Sequence, residues 1–207
     1  GNNTQHVLDL LNTTDLDGIT AILSVSPYYN KPSQQGILQH YTQIANASPV
    51  PVILYNVPGR TGSNITADTT LRLALHNNII GVKEASGNLE QCMMIAKHKP
   101  ADFMLISGDD LLTVPMAAFG AEGVISVLAN AFPEKFSKMI SLALDHQFKE
   151  ASELMYDFVD INPLMYEEGN PVGVKAVLER FGVCSASVRL PLVEASAGLK
   201  DRVYKLL

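Results

Sequence analysis

Two periods of apolar and polar residues alternate along this chain. Short, unbroken apolar runs recur at Ala21–Val25, Val50–Val57, Ile79–Ala85, Phe103–Ser107 and Gly123–Leu128. After each run the apolar residues return every three or four positions, the spacing of one face of a helix. These stretches run from Ser33 to Ser48, from Thr66 to His76, from Leu89 to Lys97, up to about Gly120, and from Pro133 onward. In the first, Ile37, Tyr41, Ile44 and Ala45 share a face; in the last, Phe136, Ile140, Ala143 and Leu144 do. Pro133 suits the opening position of a helix, where its missing N–H costs nothing. A further helix is expected over about Thr4 to Leu11. After His146 the strand-like runs stop, and helices are expected over 147–160, about 171–181 and about 192–207. The chain therefore reads as a β/α part, 1–146, and a helical region, 147–207.

Apolar runs without internal alternation predict strands buried on both faces, which is how parallel strands lie between helices. The class is α/β, and two closures compete. An open doubly wound sheet usually carries a glycine-rich phosphate loop after its first strand, but no GxGxxG or GxxxxGK[ST] occurs. A (β/α)8 barrel gathers its chemistry where strands end. Here the unusual polar residues sit at those ends: Tyr28-Tyr29, Tyr55-Asn56, Lys83-Glu84, Ser107 to Asp110, and Ser126. The barrel is the expectation. It needs eight strands where five are visible. At ~30 residues per β/α unit, the first strands, roughly 80 residues, are expected to be missing from this chain.

Composition narrows the functional classes. With 207 residues, 47% of them hydrophobic, the chain can bury a sizeable core. A net charge of −6 argues against nucleic acid, which is bound by neutralising phosphates with Lys and Arg. No run approaches the ~18 apolar residues of a membrane span, and the opening residues lack the features of a signal peptide. Cys92 and Cys184 form no CxxC; reduced thiols and a cytoplasmic location are expected.

Lys83 stands out because it interrupts an apolar strand, and burying an ammonium is costly. Its amine either snorkels to the rim or pairs with Glu84, or it is a desolvated nucleophile able to attack a carbonyl. Tyr55 ends a strand in the same way, as packing or as a proton carrier. Arg60, in the turn Pro58-Gly59-Arg60-Thr61-Gly62, is a surface arginine or a carboxylate clamp. Asp109-Asp110 could hint at a metal site, but no histidine is near; His6, His40, His76, His98 and His146 lie mostly in or beside helices.

Several multi-residue motifs, in order, carry a resemblance: Ser26-Pro27-Tyr28-Tyr29-Asn30-Lys31-Pro32, Leu54 to Gly62, Gly81-Val82-Lys83-Glu84-Ala85-Ser86-Gly87-Asn88, Ser107-Gly108-Asp109-Asp110 and Gly123-Val124-Ile125-Ser126. Over essentially its whole length the chain resembles the pyruvate-dependent Schiff-base aldolases and lyases, the family that includes dihydrodipicolinate synthase and N-acetylneuraminate lyase. The resemblance implies Lys83 as the Schiff-base lysine, Tyr55 and Tyr29 in a proton relay, and Arg60 holding the carboxylate of aspartate semialdehyde, as in the synthase branch. It implies that the Ile125 carbonyl and Gly108 shape a pyruvate pocket. The alternative within the family is a sister lyase that takes a sugar-derived aldehyde. Tyr29 is expected to reach a neighbouring subunit's site, so a homo-oligomer, commonly a dimer of dimers, is implied. Neither an organic cofactor nor a metal is implied. In lysine-inhibited members a regulatory site uses residues matching Asn2 and Tyr28 and a glutamate where this chain has His6, so weak inhibition by lysine is expected. The family's Gly-Thr-Thr-Gly-Glu loop, which holds the pyruvate carboxylate, has no counterpart in these residues.

Overall fold

The computed structural model describes residues 1–207. Ten α-helices and five strands follow the expected order: α1 (Thr4–Thr13), β1 (Ile22–Val25), α2 (Gln34–Ala47), β2 (Val52–Asn56), α3 (Pro58–Thr61), α4 (Ala67–Leu73), β3 (Ile79–Glu84), α5 (Leu89–His98), β4 (Met104–Ser107), α6 (Thr113–Ala118), β5 (Gly123–Val124), α7 (Pro133–Leu144), α8 (Phe148–Tyr156), α9 (Val172–Arg180) and α10 (Ala197–Tyr204). No helix is long and apolar enough to cross a membrane. The chain divides into two compact units, one of Gly1–Asp109 with Phe119–Val124, the other of Asp110–Ala118 with Ile125–Leu207.

The first unit holds the whole sheet. All its strand pairs are parallel and its order is β1-β2-β3-β4-β5. Strand order equals chain order, with no reversal at which a doubly wound sheet would switch direction; this is the progression of a singly wound barrel. Helix starts follow local chemistry. The side chains of Ser33, Thr66 and Asn88 accept the backbone N–H groups of Gly36, Thr69 and Gln91, capping α2, α4 and α5.

The two faces of the sheet differ. Val52, Leu54 and Asn56 of β2, Val82 and Glu84 of β3, and Leu105 and Ser107 of β4 point to the helices and are buried. There they meet Ile37, Tyr41 and Ile44 of α2, Leu73 of α4 and Ile95 of α5, all buried. The Tyr41 hydroxyl donates to the Ser24 carbonyl at 2.8 Å, which pins α2 to β1. On the opposite face Ile53, Tyr55, Met104 and Ile106 are only partly buried, and Leu23 is exposed. The apolar runs predict burial on both faces; on this face of β2, β3 and β4 only Gly81 and Lys83 reach it.

The strand expected over Gly123–Leu128 is shorter than its apolar run. Only Gly123 and Val124 pair, with Ile106 and Ser107. In the second unit, the N–H groups of Val127 and Leu128 donate instead to the Asp110 carboxylate, at 3.1 and 2.9 Å, where a 3-10 turn, Leu128–Asn130, begins. A carboxylate that fixes two main-chain donors ends the strand. That unit is otherwise helical. On α7 the buried face is Phe136, Met139 and Ala143, while Leu144 is exposed. The expected face, with Ile140 and Leu144, is corrected by one step around the helix. Phe158 packs against Phe132 and Phe136 in the same unit. The last helix starts at Ala197, capped by Ser196, rather than near residue 192.

Candidate active site

Register decides which strand-end residues can meet. Tyr55 lies opposite Lys83, and Lys83 opposite Ile106, in one row across β2, β3 and β4. Paired residues on neighbouring strands stand about 5 Å apart and share a face. Lys83 and Tyr55 are therefore neighbours on the half-open face, and the Lys83 Nζ lies 4.3 Å from the centre of the Tyr55 ring. A cation over a phenol face is attracted by the ring quadrupole. Lys83 is only 9% exposed. Burial raises the Tyr55 phenol above its ordinary value, and the nearby Arg60 charge opposes that rise. Burial thus favours the protonated phenol.

Gly108 sets the space beside Lys83. A Cβ there would fall 2.7 Å from the Ala85 Cβ and 2.9 Å from the Lys83 Cε, closer than carbon atoms pack. Its N–H donates to the Glu84 carbonyl at 2.8 Å, continuing the β3–β4 ladder past Ser107. Only a residue without a side chain lets this turn approach the lysine stem.

Arg60 is exposed on α3, a single turn opened by Pro58 and closed by Gly62 in the left-handed conformation at φ 76°. That turn also carries the loop after β1: Tyr29 N–H donates to the Thr61 carbonyl at 3.1 Å, and the Ser63 hydroxyl to the Pro27 carbonyl at 3.1 Å. Tyr29 itself is 88% exposed and has φ 73°. A bulky residue in that region signals a constrained loop. Asn2 reaches the same loop, its amide donating to the Tyr28 carbonyl at 3.3 Å, while the Asn30 amide donates to the Asn2 carbonyl at 3.0 Å. Tyr28 and His6 are both exposed. Ile125 is exposed and belongs to the second unit. Asp110, half of the weak metal motif, is the carboxylate that caps the Leu128 turn.

Behind this row Asn56 and Glu84, the other polar residues at these strand ends, join Asn64 and Gln91, which no sequence motif marks. Glu84 is 1% exposed, and its four hydrogen-bond contacts come from neutral amides. Its Oε1 accepts from the Ser86 N–H at 2.8 Å and the Asn56 amide at 3.0 Å; its Oε2 accepts from Gln91 at 2.9 Å and again from Asn56 at 3.0 Å. A pairing of Glu84 with Lys83 had been one reading of the sequence. Period-two alternation, which sends adjacent strand residues to opposite faces, was the signal that could have separated them.

A buried lysine beside a phenol, at the strand ends of a parallel β/α sheet, is an arrangement suited to imine chemistry. Comparison with known proteins agrees. The profile of the Dihydrodipicolinate synthetase family matches residues 1–207, and the chain belongs to that family. It is 55% identical, over 98% of its own length and 68% of the relative's, to the 4-hydroxy-tetrahydrodipicolinate synthase of Cytophaga hutchinsonii. Among solved structures it superposes on the dihydrodipicolinate synthase of Aquifex aeolicus with a TM-score of 0.94 and 37% identity, covering 100% of this chain and 71% of that one. It superposes on the enzyme of Cyanidioschyzon merolae with lysine bound at 0.93 and 38%, covering 99% and 70%. The chain is thus a lyase of the class I aldolase type, with the 4-hydroxy-tetrahydrodipicolinate synthase reaction as its function, joining pyruvate to aspartate semialdehyde in lysine biosynthesis.

Proposed function

We propose that Lys83 is the nucleophile of this condensation, and that Tyr55 moves the protons. The observation that carries the reading is the buried Lys83 amine, 4.3 Å from the centre of the Tyr55 ring. The neutral amine adds to the keto carbon of pyruvate, and water leaves to give an imine. Once protonated, the imine is an electron sink, so the methyl group gives up a proton and becomes an enamine. The enamine carbon attacks the aldehyde of the semialdehyde. The amino group of that substrate then adds to the imine carbon, displaces Lys83 and closes the ring. Tyr55 lends the proton that water takes away and recovers one later. Gly108 leaves room for pyruvate beside the lysine stem. Arg60 clamps the semialdehyde carboxylate through charge-assisted hydrogen bonds. The assignment of Ile125 to the pyruvate pocket rests on the resemblance alone.

Other parts of the reading reach beyond the single chain. Tyr29, solvent-facing here, serves the relay of a neighbouring subunit, which makes the working form a homo-oligomer built from dimers. The five sequential strands belong to an eight-stranded barrel, with 1–146 as its β/α part and 147–207 as a helical region. Lysine regulation is weak: Asn2 and Tyr28 are in place, but His6 offers no carboxylate to the ligand's amino group. A lysine titration at neutral pH tests this; half-inhibition at or below about 0.1 mM, near −5.5 kcal/mol of binding, contradicts it.

The synthase assignment is tested by offering the full-length enzyme pyruvate with either aspartate semialdehyde or an uncharged sugar-derived aldehyde. The charged contact at Arg60 predicts a preference for the semialdehyde of at least about tenfold. Equal or better use of the sugar aldehyde overturns it in favour of a sister lyase.

A further inference from the structure

The side of β2 and β3 that faces the helices holds a second row one residue beyond the first. Asn56 lies opposite Glu84, as Tyr55 lies opposite Lys83. We propose that Glu84 is a positioning residue, whose buried carboxylate fixes the ends of β2 and β3 so that Lys83 stands over Tyr55. The inference rests on the reading of Lys83 as the Schiff-base lysine.

The ladder by itself does not secure this alignment. The β2–β3 register shifts between Val52 and Ile53, where Val52 pairs with Ile79 but Ile53 with Gly81. A slip of one residue would send Lys83 to the helix side and Glu84 to the other. Asn56 and Glu84 act against such a slip. Asn56 is fully buried. Its amide nitrogen donates to both Glu84 oxygens and to Asn64 at 2.7 Å, and its own oxygen accepts the Ile65 N–H at 2.9 Å. Gln91 on α5 closes the circuit, donating to Glu84 at 2.9 Å and accepting from Asn64 at 2.8 Å. One carboxylate thus joins the end of β2, the turn after β3, the loop before α4 and the first turn of α5.

The anion suits this task better than a neutral group. A carboxylate offers about four acceptor sites and no donor, and all four contacts here are with N–H donors. A glutamine at the same place turns an N–H toward one side of the circuit. Gln91 can rotate its amide to suit it, but Asn56 is held by the Ile65 main-chain N–H, and the Ser86 main-chain N–H cannot turn.

The test uses full-length enzyme and follows borohydride trapping of pyruvate, kcat and KM for condensation, and the melting temperature. In Glu84→Ala, trapping and kcat should fall about a hundredfold, the scale of a misplacement near 1 Å, with KM for the semialdehyde moved less than about threefold because Arg60 lies outside the circuit. Glu84→Gln should recover most of the loss. Should Glu84→Ala fail to fold, Gln91→Ala, which removes one donor, decides the matter with a smaller loss of the same pattern. A lower melting temperature with an unchanged trapping rate, measured well below melting, overturns the proposal and leaves Glu84 a purely structural residue. Absence of trapping at Lys83 in the unsubstituted enzyme would defeat the Schiff-base reading instead, so the two failures are distinct.

Discussion

The ends of β2 and β3 and the loop Tyr28–Lys31 serve one proposed reaction, yet they are built in opposite ways. At the strand ends Lys83, Asn56 and Glu84 are buried, and the side chains of Asn56 and Glu84 are fully occupied by hydrogen bonds from the same chain. In the loop, Tyr29 and Lys31 have positive φ and Tyr29 is nearly all exposed; its main chain is tied to Thr61 while its ring is left to solvent. The difference shows where precision is made. A strand end inherits its geometry from register and a buried network. A loop side chain of this kind gets its geometry from whatever later covers it, which suits the neighbouring-subunit role that the family resemblance implies for Tyr29.

The largest effect that sharpens this contrast is expected at Gly108. In Gly108→Ala the added methyl must displace either Ala85 or the Lys83 stem. Overpacking of this kind costs about 1–3 kcal/mol, and a displaced amine should lower the trapping rate about a hundredfold. Trapping close to the unsubstituted rate would show that the strand end yields more than the buried network suggests.

Arg60→Ala comes next, on the exposed side of the contrast. It should leave pyruvate trapping nearly intact and weaken use of the semialdehyde by ~1.5–3 kcal/mol, roughly tenfold to a hundredfold. Because the Arg60 charge opposes the upward shift that burial imposes on Tyr55, its removal should move the phenol further up, which 13C-labelled tyrosine reports in a pH titration. Equal loss for both substrates would mean that α3 supports the strand end rather than the second substrate.

The smallest effect on stability is expected at Tyr29. An 88% exposed ring has little to lose on truncation, so Tyr29→Ala should change the stability of a single chain by no more than about 0.5 kcal/mol, while lowering activity in the assembled enzyme. A large loss of stability in the dissociated chain would break the contrast, since the loop would then be part of its own core.

Most of the strand and helix order was legible because parallel strands write unbroken apolar runs and helices write caps. Ser33, Thr66 and Asn88 stand where helices begin, and Ile37, Tyr41, Ile44 and Ala45 form the face expected of them. The misses have physical causes. The run Gly123–Leu128 looks like a strand throughout, but Asp110, distant in sequence, takes two of its N–H groups. On α7 the apolar pattern placed Ile140 and Leu144 on the buried face, but Met139 stands there with Phe136 and Ala143. At the site, Lys83, Tyr55 and Arg60 were visible as odd residues at strand ends. Asn56 and Glu84 stood out there too, but their joining with Asn64 and Gln91 did not, because polar residues dispersed over β2, β3 and two helical connections form one network only after folding.

The central claim is that Lys83 forms the imine. The full-length enzyme is reduced with borohydride in the presence of pyruvate, digested, and its peptides weighed. The account predicts one modified lysine, Lys83, carrying the mass of reduced pyruvate, and no label when pyruvate is omitted. Label spread over exposed lysines such as Lys31 or Lys97, or no label at all, would contradict it.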